Sequence, residues 1–581
     1  MNREILVNRK REIKMNISKL FSRKNKNAYT PAQRRRGILG TVIGLIVTAI
    51  AAGVYYYICL PALNFQNMGL YVAIIVLSVV YIACSTLVDG VEVYARSRAG
   101  RAVEYCKKSP IPAVIIILAA AVLLVGYLVG APLFRAKDYT ELLEVKDGDF
   151  SEDIAQINWD QIPQLDKFSS NNLANRKLGE LSDLVSQFTI SEDSVQINYQ
   201  NTPVRVTYLD YSSFFKWIAN SEGGIPAYMR TDMRTQEVTV VRLDEGIKYS
   251  PSEYFERDLM RYLRFYYPTL MFSDVNFEIN DDGTPYWIAS FVKKTIGLFG
   301  GTDVNGVILL NAVTGECTKC SMDEIPAWVD RACDASLLIQ QYDYRGIYVN
   351  GFFNSLFTQS GCTETTDGYN YVVKDDDVWM YTGVTSVTSD SGNIGFILVN
   401  QRTKEARYYS CAGAEEYSAM ASAEGAVQQY GYVSTFPLLL NIADEPTYFM
   451  ALKDTGGLVK MYAMVNVSQY QIVANGYSLS ECQKNYVRLL GENGLIEDDE
   501  TDVPSETDTV EGALTDIRSA SIDGNTVFYL QLEGADVYYT VSAKDCPLAV
   551  LLNVGDTVKI EFVSADGRLT EALSVEAADA E

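Results

Sequence analysis

The sequence predicts an α+β protein: three N-terminal transmembrane helices, then tandem sheet-plus-helix repeats and a small C-terminal all-β barrel. Three observations lead there. Three uncharged apolar runs, each of at least 20 residues, stand before residue 135. A strand–turn–strand segment recurs along the middle of the chain. The last stretch breaks into short alternating strands punctuated by turns, the pattern of a small closed sheet.

At 581 residues the chain is too long for one core and calls for several domains. Its formal charge of −24 conceals a split, because residues 1–110 hold 17 Lys/Arg against 5 Asp/Glu. Two regions of opposite sign call for two environments. There is no histidine. That removes the usual general base, the Ser-His and Cys-His nucleophile pairs and the commonest transition-metal ligand, and it lowers the expectation of a hydrolase.

The apolar runs are GILGTVIGLIVTAIAAGVYYYICL (37–60), MGLYVAIIVLSVVYIACSTLV (68–88) and IPAVIIILAAAVLLVGYLVGAPLF (111–134). As helices each spans the roughly 30 Å of a bilayer core. A cleaved signal peptide does not fit a long leading tail followed by two further spans. The tail, 1–36, ends in Arg34, Arg35 and Arg36, and the 89–110 loop carries Arg96, Arg98, Arg101, Lys107 and Lys108, whereas 61–67 has no charge. The positive-inside rule therefore predicts a cytoplasmic tail and 89–110 loop around a 37–134 membrane region. Everything after Phe134 is then outside: a multi-pass cell-membrane protein with a large acidic ectodomain. Ile13, Ile17, Leu20 and Phe21 could share the apolar face of a basic helix lying on anionic lipid, or belong to a basic tail that only enforces topology. Met15 offers an alternative start to Met1.

The ectodomain repeats itself over 201–490. NGVILLNAVTGEC (305–317) matches IGFILVNQRTKEA (394–406), so that Asn311, Thr314 and Glu316 answer Asn400, Thr403 and Glu405. Upstream, FEINDDGTPYWIASF (277–291) parallels YVVKDDDVWMYTG (371–383), with Trp287 set against Trp379. Downstream, LIQQYDY (338–344) parallels AVQQYGY (426–432). Three matched segments in one order mark a duplication. Two flanking copies are weaker: one keeps Asp232, Thr235 and Glu237, the other only Asn466 of the signature. Each unit reads as strands and turns followed by a helix, with SPSE (250–253) and SMDE (321–324) as capping boxes. After the first, Phe255, Leu259, Tyr262, Leu263 and Tyr266 form an apolar stripe that Pro268 ends. Sheets with one face covered by helices result.

On LLNAVTGEC and IPAYMRTDMRTQEV, each followed by a helix, the unit resembles PepSY-type modules, extracytoplasmic α/β domains attached to bacterial membrane helices. The resemblance covers about 225–490. It implies binding or restraint of partner proteins, peptidases among them, and it carries over no catalytic residue.

Residues 135–200 read as a stalk and lead-in: KDGDFSEDIAQINWD as polar stalk, RKLGELSDLVSQF (176–188) as an amphipathic helix, and 194–209 as a hairpin. The acidic 491–512 segment reads as a linker. Residues 513–577, punctuated by Asp523-Gly524 and Gly555-Asp556, read as an OB-like or SH3-like barrel. The barrel segment is acidic, lacks a basic stripe and lies outside the cell, which argues against nucleic acid as a partner.

The one Cys-x-x-Cys, Cys317 and Cys320, raises redox or zinc chemistry. The second copy places Ala406 and Tyr409 there, and positions i and i+3 of a strand face opposite sides of the sheet. The pair therefore reads as strand filler. Seven cysteines follow Phe134, an odd number without a framework spacing. Asp281-Asp282 and Asp375-Asp376-Asp377 fall at matching turns and read as turn formers, short of the six oxygens calcium takes. Trp287 and Trp379 read as core. No catalytic, metal or cofactor-binding residue is assigned.

These readings point to a non-enzymatic, membrane-integral protein of the cell envelope, without cofactor, whose ectodomain binds envelope protein or glycan in restraint, sensing or scaffolding. An alternative is a histidine-free enzyme using two carboxylates converging roughly 5–9.5 Å apart in one cleft, acting for example on glycans. A transport accessory role finds no buried ionisable residue in the spans to support it.

Overall fold

A computed structural model describes residues 31–89, 110–156, 162–388, 392–496, 507–522, 525–535, 537–543, 546–563 and 569–577. The candidate amphipathic segment at 13–21, the basic residues of the 89–110 loop, linker residues 497–506 and the Asp523-Gly524 turn lie outside these. The chain forms two compact units, Met1–Val473 and Ala474–Glu581.

Helices α1 (Pro31–Cys59), α2 (Met68–Asp89) and α3 (Pro110–Val129) contain the apolar segments Ile38–Cys59, Met68–Leu87 and Ile111–Val129, each long and apolar enough to cross a membrane. Ile50, Ile58, Leu87, Ile117 and Leu124 point outward, as suits helices surrounded by lipid, where backbone groups must be satisfied within the helix and apolar side chains face the hydrocarbon. Asn67 starts α2 by accepting the Gly69 N–H (2.9 Å). Helix α4 (Pro132–Thr140) then leads to strand β1 (Val145–Gly148).

Four antiparallel meanders follow. In sheet I, β2 (Phe188–Ile190) and β3 (Val195–Tyr199) share one edge of β4 (Thr202–Tyr211), followed by β5 (Ile225–Asp232) and β6 (Val238–Ile247). Sheet II runs β7 (Met271–Ile279), β8 (Pro285–Ile296), β9 (Gly300–Asn311), β10 (Cys317–Cys320). In sheet III, β11 (Thr363–Thr365) and β12 (Asn370–Lys374) share the edge of β13 (Asp377–Ser386), followed by β14 (Asn393–Asn400) and β15 (Ala406–Gly413). Sheet IV repeats this with β16 (Val433–Ser434) and β17 (Leu438–Ile442) on β18 (Glu445–Lys453), then β19 (Val459–Asn466). The long middle strands are rich in β-branched and aromatic residues and buried on both faces, because each sheet packs between neighbours.

The sheets succeed one another around a ring, in the manner of propeller blades. Tyr208 of sheet I meets Phe277 and Trp287 of sheet II with ring centroids 5.3 and 4.8 Å apart. Sheet II meets III through Val304 against Met380 and Ile397 in one core and through a Lys404–Asp303 ion pair. Sheet III meets IV where Asn393 donates to the Tyr448 hydroxyl (3.0 Å). Sheet IV closes on I as Gln236 donates to the Tyr462 hydroxyl (3.2 Å) and Lys453 pairs with Asp166 (2.7 Å) ahead of sheet I. Each large side chain so buried contributes about 1.5–3 kcal/mol.

One hairpin reaches the membrane helices. The turn between β8 and β9 sets Leu298 and Phe299 among Tyr71, Ile74, Ile75, Ala119, Val122 and Leu123 of α2 and α3. Gly126 makes room, since a Cβ there would stand 2.5 Å from the Phe299 ring. The Gln66 amide donates to Lys294 O (2.8 Å) and accepts from Lys294 N (3.0 Å), fixing the hairpin to the α1–α2 loop.

Several local expectations are corrected. The stalk is in part a strand: β1 pairs in parallel with β15, Val145 opposite Ala406 through Gly148 opposite Tyr409. The helix expected at 176–188 is Lys167–Gly179, started by Asp166 accepting Ser169 N (2.9 Å). SPSE does not cap a helix. Glu253 turns away to accept from the Tyr211 hydroxyl (2.8 Å) and Trp217 Nε1 (2.7 Å), and Phe255 takes φ +56°. The helix begins at Leu259 and runs to Tyr266, with Asp258 accepting Arg261 N (2.9 Å). SMDE does form a capping box, but over the single 3₁₀ turn Met322–Glu324, and the helix starts later, at Ala335–Ile347.

In the second unit, β20 (Val473–Gly476) lies at the division and helix Leu479–Glu492 follows. Strands β21 (Thr507–Ile522), β22 (Asn525–Leu532), β23 (Tyr538–Ser542), β24 (Thr557–Val563) and β25 (Leu569–Ala577) pair in the cycle β21–β22–β23–β25–β24–β21. All pairs are antiparallel except β23 with β25. Leu514, Leu530, Tyr539, Val541, Val558 and Ile560 fill the interior. Thr507 to Gly512, expected as linker, belong to β21.

Candidate functional site

The repeat signature builds turns. Asp232 Oδ1 accepts from Arg234 N (2.8 Å) and Thr235 N (3.2 Å), Asn311 Oδ1 from Val313 N (2.9 Å) and Thr314 N (3.0 Å), Asn400 Oδ1 from Arg402 N (2.8 Å) and Thr403 N (2.9 Å). The hydroxyls of Thr235, Thr314 and Thr403 then accept the N–H of Glu237, Glu316 and Glu405 at 3.4, 3.3 and 3.3 Å. Gln236, Gly315 and Lys404 between them take φ of +64°, +79° and +66°. An Asx side chain that mimics a backbone acceptor explains why the spacing is kept. Asn466 makes a wider turn: its Oδ1 accepts Gln469 N (2.8 Å), and its N–H reaches Ile472 O (3.1 Å).

The two tryptophans are buried but not equivalent. Counted from the turn, Trp379 lies opposite Asn400, whereas Asn311 faces Tyr286 and Trp287 faces Leu310. A one-residue offset in a strand exchanges faces. The residue matching Trp287 is Met380, with Tyr448 in sheet IV opposite Val465 and Arg205 in sheet I opposite Thr231. Cys317 packs against the core shared by sheets I and II, and Cys320 sits in a separate cluster with Ile288, Val307 and Val329. Burial lifts the Cys317 thiol to about 11, and burial followed by the Glu324 charge raises Cys320, so neither is poised as a thiolate.

A cavity of about 1160 Å³ lies where the first strands converge, lined among others by Gln196 of β3, Asn276 of β7, Tyr371 of β12 and Leu438 of β17. Segment 163–175, which follows the membrane-proximal chain, contributes Asp166, Phe168 and Asn171. Two arginines line it. Arg205 is 7% exposed and donates to Ser194 O (3.2 Å) and Gln196 Oε1 (3.5 Å). Burial first, then the charge of Arg331, lower its pKa to about 10. Arg331 donates to the Tyr371 hydroxyl (2.5 Å) and lies 4.0 Å over that ring. Several lining polar atoms have no protein partner: Asn171 Oδ1, Ser194 Oγ, Gln196 Nε2 and the Nε of both arginines. Buried polar atoms rarely stay unsatisfied, so such a concentration marks a place where solvent or ligand completes the bonding.

Behind Arg331 stands a carboxylate pair. Glu278, fully buried, accepts the N–H of Asp330 and Arg331 at 2.9 Å each, and Asp330 accepts Asn198 N (2.6 Å). Burial raises both pKa values, and for Asp330 the Glu278 charge adds to it. Neither residue lines the cavity. The pair serves to hold the loop that carries Arg331. The sequence reading missed Arg205 and Arg331; aligning the repeats from their turns would have exposed an arginine in a column otherwise filled by Trp287, Met380 and Tyr448.

No family model matches the chain, and no curated protein matches it. Among solved structures, the chain is similar to a putative exo-β-1,3-galactanase from Bifidobacterium bifidum s17, at 9% identity over 52% of this chain and 74% of that one, TM-score 0.17. It is also similar to an ACO/RPE65 chimera, at 9% identity over 67% and 65%, TM-score 0.13. At these TM-scores the likeness carries no argument about fold or function.

Proposed function

We propose that this is a membrane-anchored, extracytoplasmic binding protein of the cell envelope, and that its ligand enters the cavity among the four sheets. The observation that carries the reading is that cavity, about 1160 Å³ and lined by all four repeats, with buried polar atoms left to be satisfied. Its volume is generous for a small-molecule site. The buried carboxylate pair, Glu278 and Asp330, both raised first by burial, stands outside it, which favours binding over two-acid catalysis. The basic loop residues support an outward-facing ectodomain. The Asx–Thr–Glu turns support the PepSY-like reading of the repeats, and the cyclic strand order with one parallel pair supports an OB-like reading of the terminal unit. An envelope glycan or protein is the partner class.

Protease added to intact protoplasts should remove the region after Phe134 and spare the 89–110 loop. Purified full-length protein should bind envelope-derived glycan or peptide in a saturable way without turning it over. Protection of the ectodomain in protoplasts, or glycan cleavage by the purified protein, contradicts the proposal.

A further inference from the structure

We propose that Arg205 and Arg331 are the anion-recognising end of the cavity and take an oxyanion, a carboxylate or phosphate group carried by the envelope ligand. This rests on reading the cavity as the binding site and names the chemistry it selects.

The repeat supplies the first argument. In sheets II, III and IV the Arg205 column holds Trp287, Met380 and Tyr448, each buried. Trp287 packs on Tyr208 of the preceding sheet, and Tyr448 meets Asn393 of its own predecessor. Sheet I has a guanidinium there instead. A charge in a core column costs stability unless something compensates it. Among the described residues neither arginine forms an ion pair, and the Nε of each has no partner.

The second argument concerns the acids of the lining. Asp166 is committed to Lys453 (2.7 Å) and Ser169 N (2.9 Å). Asp274 accepts from Val275 N (2.9 Å) and Asn276 Nδ2 (2.9 Å). Glu192 and Asp193 are exposed at the rim, where Lys167 stands 3.9 Å from Asp193. No acid of the lining is hydrogen-bonded to either guanidinium, and the charges that do act on them, Asp166 on Arg205 and Glu278 and Asp330 on Arg331, do so without direct contact.

Third, the forks are held in place before any ligand arrives. Tyr371 stacks under Arg331 and accepts from it, Glu278 ties down its backbone, and Ser194 O and Gln196 hold Arg205. A planar guanidinium fixed in this way suits bidentate contact with carboxylate or phosphate, and little freedom remains to be lost on binding.

The test uses full-length protein in lipid nanodiscs, titrated calorimetrically with D-glucuronate, glycerol phosphate and uncharged D-glucose. One or both anions should bind saturably and glucose should not; the anion preferred tells a carboxylate ligand from a phosphate one. Arg205→Met, which installs the sheet III residue, and Arg331→Gln should each weaken binding about tenfold or more. Arg242→Gln, at an exposed pair with Asp183, should leave it unchanged. Should Arg205→Met not fold, phenylglyoxal labelling of wild-type protein decides, because bound anion must protect Arg205 and Arg331 in peptide mass spectrometry. No saturation with either anion, unchanged affinity in both variants, or labelling without protection overturns the proposal. If glucose or an uncharged envelope peptide binds in the cavity while neither anion does, the anion proposal falls and the binding reading stands.

Discussion

At the residue scale, the signature turns show how chemistry fixes spacing. Gly315 occupies the left-handed position without cost, and a Cβ there would fall 2.4 Å from the Tyr249 ring. Gly315→Ala should lower stability by about 1–2 kcal/mol in urea unfolding, from the left-handed backbone alone, with the clash adding to it. Gln236 bears the same conformation at φ +64°, but its amide also donates to Tyr462, so in Gln236→Gly the relieved backbone and the lost bond should offset each other to within about 1 kcal/mol in the same assay. The Glu278–Asp330 pair makes a pH prediction. Both pKa values are raised in the folded state, so the native protein binds protons more tightly than the unfolded chain. The pair's contribution to stability is then full below the ordinary carboxylate range and is lost as pH rises through the raised values. Asp330→Asn should flatten that part of a melting-temperature-against-pH curve, and an unchanged slope contradicts the assignment. The turn residues were legible in the sequence because an Asx turn needs fixed neighbours. Arg205 was not, because its meaning depends on a strand register that a similarity between tryptophans set one residue wrong.

At the scale of elements, strands were more legible than helix starts. A strand such as VILLN announces itself through composition and alternation, whereas a capping box depends on where its glutamate goes. Glu253 had better partners in Tyr211 and Trp217, so the helix start moved to Asp258. Asp258→Ala should therefore cost about 1 kcal/mol in thermal or urea unfolding, the usual worth of an N-cap. Ser321→Ala should cost distinctly less, since Ser321 caps only a 3₁₀ turn at the surface. The polar chain after α4 was unreadable as a strand for a similar reason. Val145–Gly148 lacks apolar alternation and is held by the edge of β15, a partner far away in sequence.

At the scale of the molecule, the three apolar spans and the duplicated middle were plain in the sequence, while the ring that joins the sheets was not. The ring closes through pairs such as Gln236 with Tyr462 and Lys453 with Asp166, which no local pattern announces. The hairpin lodged between α2 and α3 belongs to this scale as well. Gly126→Val should displace Phe299, and the sign to look for is new protease cleavage or faster hydrogen exchange at residues 296–300, with α3 still inserted. The same hairpin sets an order of manufacture. Helices α2 and α3 are synthesised and inserted well before Leu298 and Phe299 emerge, and domains fold from the N-terminal side first. Until then the notch at Gly126 lacks the Phe299 ring that fills it. Docking thus becomes a late checkpoint, passed only when span insertion and sheet II have both succeeded.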